Sequence, residues 1–146
     1  MLILKKVSIP GILTENLVVV VQEKLALKIK KSSIIYSRIE TELREKGLLN
    51  PSEYVMPPKS IDIREASEHA KDRLKKRNIT MEDAQHYVDS AMVMIQQSKD
   101  KFNFIAEDGC SYVLESGRLV SVISKADYDS FMKQKVEVIE SWLKKK

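Results

Sequence analysis

The feature that most constrains this chain is a change of hydrophobic period near residue 100. Between residues 62 and 77, the apolar Ile63, Ala66, Ala70 and Leu74 recur at three- and four-residue steps. That spacing makes one buried stripe of an amphipathic helix. Asn78 ends it, and Thr80-Met81-Glu82-Asp83 supplies an N-cap with an acidic first turn, a capping-box variant with Asp in the third position. The following helix is predicted to place Ala84, Tyr87, Val88, Ala91, Met92 and Ile95 on one face. Then the spacing falls to two. Phe102, Phe104 and Ala106 alternate, Glu107-Asp108-Gly109 turns, residues 110–115 form a second strand, and Ser116-Gly117 is a tight hairpin before a third strand over residues 118–124. Ser124-Lys125-Ala126-Asp127 caps a last helix that buries Phe131, Val136 or Val138, Ile139, Trp142 and Leu143. This order predicts an α+β domain whose antiparallel sheet is packed by helices.

The first part of the chain reads differently. Residues 2–7 suit a short strand ended by Pro10-Gly11, and residues 17–21 are a β-branched run. Leu25, Leu27 and Ile29 alternate just beyond, with Lys24, Lys28 and Lys30 between them, so period two favours a strand; a helix entered at Thr14 also fits. Residues 34–46 read as helix, with Ile35, Ile39, Glu42 and Leu43 at helical spacing and Gly47 as the C-terminal cap. Asn50-Pro51 and Met56-Pro57-Pro58 punctuate the chain, because proline disfavours helix. The expected division is residues 1–58, an N-terminal strand-helix extension, and residues 59–146, the α+β domain.

Composition excludes several classes. One cysteine, Cys110, and two histidines, His69 and His86, allow neither a disulfide framework nor a multi-cysteine zinc site, and no cofactor is expected. No stretch approaches the ~18–20 apolar residues of a membrane span. The opening MLILKKV lacks the order of regions of a signal peptide, so the expected location is cytoplasmic and no membrane partner is expected. The net charge of +4 equals the surplus within residues 1–50, which hold nine basic and five acidic residues. Nucleic-acid binding must therefore be argued from local clusters.

The densest such cluster is Lys71, Arg73, Lys75, Lys76 and Arg77 on the first helix of the second part. His69, Arg73 and Arg77 follow at four-residue steps along one edge of that helix, beside its apolar stripe. If the stripe packs on the sheet, this edge faces a cleft. Arginines hold a phosphodiester bidentately, and histidine moves a proton near neutral pH. The plainer alternative is a solvated helix side. Lys28 and Lys30, with Ser32 and Ser33 adjoining, either lengthen a nucleic-acid path or form the polar face of a strand. His86 reads as structural and Cys110 as a small strand residue. The acidic pairs Glu82/Asp83 and Asp127/Asp129 suit first helical turns.

Residues 67–79, Ser-Glu-His-Ala-Lys-Asp-Arg-Leu-Lys-Lys-Arg-Asn-Ile, resemble a His-Ala-x-x-Arg-x-x-x-Arg-x-Ile helix. With the capped helix and the strands that follow, this is similar to the phage-associated branch of the barnase, EndoU, colicin and RelE group of small nucleases, over about residues 60–135. Members of that branch occur at the C-terminus of phage minor head proteins or as free-standing toxin-like proteins. The resemblance implies a RelE/barnase-like fold and metal-independent cleavage of RNA. It assigns His69 as base or acid and Arg73 and Arg77 as the phosphate clamp. Ser124 (or Ser121) would be the hydroxyl of the late strand, although Ser124 also suits the cap of the last helix. Lys71, Lys76 and Lys125 would add nucleic-acid contacts. Implied partners are RNA, an antitoxin or a phage protein. Two further readings stay open: a non-catalytic module binding nucleic acid or protein, and an accessory component of a phage structural protein. The oligomeric state is left open.

Overall fold

The structure, a computed structural model, describes residues 34–144. The strands expected over residues 2–7 and 17–29, and with them Lys28 and Lys30, lie outside the described residues. Helix α1 runs over residues 34–45, and Gly47 follows at φ 69°, the left-handed conformation that suits a cap without a side chain. Strands β1 (Tyr54–Met56) and β2 (Glu65–Ala66) precede helices α2 (Glu68–Arg77) and α3 (Met81–Asp89). Then come β3 (Val93–Gln96), β4 (Lys101–Ile105), β5 (Gly109–Leu114), β6 (Arg118–Ser124) and α4 (Ser130–Leu143). The described residues thus form an α+β fold with a six-stranded sheet in the order β1-β3-β4-β5-β6-β2. Every pair is antiparallel except β2 beside β6.

Both faces of the sheet are covered. Met94, Phe102, Phe104, Val113, Leu119 and Val122 meet Ala70 of α2 and Ala84, Tyr87 and Val88 of α3. Val93, Ile95, Ile105 and Cys110 point the other way, toward Ile39 and Leu43 of α1 and Met132, Val136 and Ile139 of α4. Fully burying a side chain such as Phe104 contributes about 1.5–3 kcal/mol. Neighbouring residues therefore serve opposite layers, as the two-residue period of a strand requires.

Three element boundaries differ from the sequence-based expectation. Helix α3 stops at Asp89, where the Ser90 hydroxyl donates to the His86 carbonyl (2.6 Å); Ala91, Met92 and Ile95 are not on it. Val93, Met94 and Ile95 are all buried because β3 is covered on both sides, and such a continuous apolar run carries no period of its own. Helix α2 begins at Glu68, not at residue 62. Ser67 caps it by accepting from the Ala70 amide (3.0 Å), while Glu65 and Ala66 pair with Arg118 and Leu119. The last helix begins at Ser130, because Asp129 caps it by accepting from the Met132 amide (2.8 Å). Lys125–Asp127 form a separate 3-10 turn, and the Ser124 side chain makes no capping bond. The Thr80–Asp83 capping box and the left-handed Asn78 (φ 54°) occur where the sequence placed them.

The β1 edge and the stretch of β6 that β2 leaves unpaired are each met by a side chain from a helix. Glu40 of α1 accepts from the Val55 amide (2.8 Å), and Arg77 of α2 donates to the Val122 carbonyl (2.6 Å). Such contacts blunt the pairing capacity of an exposed strand.

Gly109 is required by packing, since a Cβ there would lie 2.3 Å from the Tyr87 ring. Gly109→Ala is expected to lower unfolding stability by about 1–3 kcal/mol through overpacking. Urea denaturation measures this, and an unchanged midpoint would contradict the contact. Removing the α3 cap with Thr80→Ala is expected to cost about 1 kcal/mol in the same assay.

Candidate functional site

The site grows from the way α2 lies along β6. Ala70 is buried against the sheet, and the rest of the helix shows its polar sides. His69 and Arg77 flank this contact and overhang the outer edge of β6. Together with Lys101, Tyr112, Val120, Ser121 and Ile123 they line an open groove of about 320 Å³.

A β-bulge sets which strand residues reach this groove. Val113 pairs with Leu119, but Tyr112 pairs with Ser121, so Val120 is an extra residue on β6. Without it, Leu119 and Ser121 would share a face. With it, Leu119 stays in the layer of α2 and α3, while Ser121 turns into the groove beside Tyr112. The alternation then resumes, with Val122 facing α2 and α3 and Ile123 facing the layer of α1 and α4. Ser124 is accordingly on the side opposite Ser121. It stands across from Gly109 and does not line the groove.

Within the groove, the Arg73 Nε–H donates to His69 Nε2 (3.4 Å). In this bond Nε2 is the acceptor, through its ring lone pair. Arg73 is half-buried and acts on the groove through His69, without lining it. Arg77 is held against the strand by its bond to the Val122 carbonyl. The Lys101 ammonium lies 5.9 Å from the centre of the Tyr112 ring, a cation–π contact. Among the described residues, neither Arg73, Arg77 nor Lys101 forms an ion pair. The groove thus gathers positive charge, an imidazole, a hydroxyl and a phenol, with no carboxylate in its lining.

The other basic residues are placed elsewhere. Lys71 pairs with Glu68 and Lys76 with Asp72, each at 3.2 Å and on the exposed side of α2. Lys125 is exposed on the 3-10 turn and does not line the groove. His86 pairs with Asp108 at 2.9 Å on the surface, where such a pair contributes little. Lys101 and Tyr112 were not singled out from the sequence. The available signal was the alternation of β4, where Phe102 and Phe104 leave Lys101 and Asn103 on the second face.

Near the groove, Cys110 is buried beneath the sheet's second layer, and this burial pushes its thiol up to about 12 from an ordinary 9.0. Burial likewise raises the Tyr112 phenol. Both shifts favour the protonated, neutral side chain in the fold. The stability that Cys110 contributes in this way is complete below 9.0 and is lost as pH rises from there toward about 12. Cys110 is therefore expected to resist alkylation by iodoacetamide at pH 8 in the native protein and to react fully in denaturant. Rapid native-state labelling would contradict its burial. No family model, curated protein or solved structure matches this chain.

Proposed function

We propose that this protein is a metal-independent ribonuclease of RelE/barnase-like type, akin to those of phages and mobile elements. The observation that carries this reading is the groove in which His69, Arg77, Lys101, Tyr112 and Ser121 converge with no acidic side chain among them. A polyanion is the ligand class such a surface attracts, and arginine suits phosphate oxygens through its fixed fork of donors.

The chemistry follows from what these groups can exchange. His69 Nε2 takes the proton of a ribose 2′-hydroxyl, displacing the Arg73 hydrogen bond onto the phosphate. The 2′-oxygen attacks phosphorus and the bond to the 5′-oxygen breaks, leaving a 2′,3′-cyclic phosphate and a 5′-hydroxyl. The Lys101 ammonium, on the sheet side, protonates the leaving oxygen. Arg77 and the Ser121 hydroxyl donate to the phosphate oxygens as charge builds on them. General acid–base transfer of this kind typically contributes 10²–10⁴-fold, and a donor aimed at developing charge about 10²–10³-fold.

Ser124, assigned with Ser121 as the alternative hydroxyl, has no part in this scheme. Lys71 and Lys76 are ion-paired on the far side of α2 and would contribute long-range attraction only.

The test is cleavage of single-stranded RNA by purified protein in EDTA. His69→Ala is expected to reduce the rate by about 10²–10⁴-fold and Arg77→Ala by about 10²-fold, with circular dichroism unchanged. Ser121→Ala should cost more than Ser124→Ala. A substrate with a 2′-deoxyribose at the scissile position should remain uncut. RNA binding without cleavage would replace this reading by that of a binding module. Cleavage that survives His69→Ala would overturn the assigned chemistry.

A further inference from the structure

Helix α4 carries a charge on its buried stripe. Met132, Val136 and Ile139 recur at the three- and four-residue steps that pack the helix on the sheet, and Lys135 falls among them at 5% exposure. Lysine is almost never buried so deeply unless it is paired. Among the described residues, this ammonium has no ion pair or hydrogen bond; it lies 4.9 Å from the centre of the Phe131 ring, one turn earlier on the same helix.

Lys135 lines a cavity of about 260 Å³ between the sheet and α4. The lining combines the apolar Ile123, Phe131 and Met132 with the carboxylates of Glu53 and Asp129. Neither acid pairs with the lysine. Glu53 is buried, and its two oxygens accept from the Asn50 amide (2.9 Å) and from Gln97 Nε2 (3.1 Å). Asp129 Oδ1 accepts from the Met132 amide (2.8 Å) to cap α4, which leaves Oδ2 to carry a proton. A buried cation with no hydrogen-bonded partner is costly, and such a group gives up its proton more readily. Desolvation accordingly lowers the proton affinity of Lys135, against the opposing fields of Glu53 and Asp129. The free amine is a nucleophile, and a desolvated lysine of this kind condenses with carbonyl compounds.

We propose that Lys135 is a covalent carbonyl-binding site that captures a small uncharged aldehyde as an imine. The ligand class follows from the lining. The carboxylates of Glu53 and Asp129 repel an anionic oxoacid, and the apolar side chains receive an alkyl group. The volume lies below the roughly 300–1,000 Å³ of drug-sized pockets, so the aldehyde is small. The Nζ lone pair attacks the carbonyl carbon, the carbon–oxygen π pair moves to oxygen, and one nitrogen proton passes to that oxygen, giving a carbinolamine. The carbon–oxygen bond then breaks as Asp129 Oδ2 relays the remaining nitrogen proton to the departing hydroxyl. One water leaves and the imine forms, with no change of oxidation state. The site is independent of the ribonuclease reading, since His69, Arg77 and Ser121 do not line this cavity.

The test treats the full native chain with limiting propanal and sodium cyanoborohydride, which reduces an imine to a stable N-propyl lysine. Peptide mass spectrometry then ranks the lysines by their rate of alkylation. Lys135 is expected to react at least about tenfold faster than the exposed Lys133 of the same helix. Glyoxylate, an aldehyde that carries a carboxylate, is expected to show no such preference for Lys135. Asp129→Asn keeps a capping oxygen and removes the proton carrier, and it should slow Lys135 toward the rate of Lys133. A rate at Lys135 equal to or below that of Lys133 overturns the site, and the native chain decides this without any variant having to fold. Fast capture of glyoxylate at Lys135 overturns the ligand class, and an unchanged rate in Asp129→Asn overturns the proton relay.

Discussion

Burial of the central strands on both faces is the constraint from which the rest of this structure follows. Val93, Met94 and Ile95 are all withdrawn from water, and so are Phe102 to Ala106. A sheet of this kind needs a helical layer on each side, and α1 with α4 and α2 with α3 supply them. Once both faces are filled, polar chemistry is confined to the margins of the sheet and to gaps between the layers. The groove at β6 is a margin, and the cavity beside Lys135 is a gap. They share Tyr112 and Ile123, which lie on the same face of β5 and β6.

One local irregularity turns that margin into a candidate site. Inserting Val120 into β6 moves Ser121 to the face of Tyr112 and sends Ser124 to the opposite one. Arg77 completes the edge by taking the Val122 carbonyl, which would otherwise be free for another strand. The same guanidinium therefore closes the sheet and holds positive charge beside His69. A bulge next to a cleft is a common way to re-aim a side chain, and here it chooses between two serines that are three residues apart.

Much of the fold was legible because it is encoded locally. The Thr80–Asp83 box, Asn78, Gly47 and the Ser116-Gly117 turn act over three or four residues, and each is found as the residue types dictate. The failures have one origin. Residues 92–95 carry the same apolar types whether they complete a helix face or fill a strand buried on both sides, and only the neighbours decide between the two. In the same way, Asp129 displaces Ser124 as the cap of the last helix because the chain first makes a 3-10 turn. Of the candidate site, the edge of His69, Arg73 and Arg77 could be read from four-residue spacing. Lys101, Tyr112, Glu53 and Lys135 come from four other places in the chain and meet only through packing.

The amino-acid sequence by itself thus determined the α+β class, the hairpins, the capped helices and the presence of a His/Arg edge on α2. These depend on periodicity and short-range hydrogen bonds, which a linear string records. Tertiary structure alone decided that α2 overhangs β6, that Ser121 and not Ser124 faces its histidine, and that a lysine of α4 and a glutamate before β1 share one cavity. Those outcomes depend on strand register and on which layer covers which face. Both are settled by long-range burial, and no single segment of the sequence contains them.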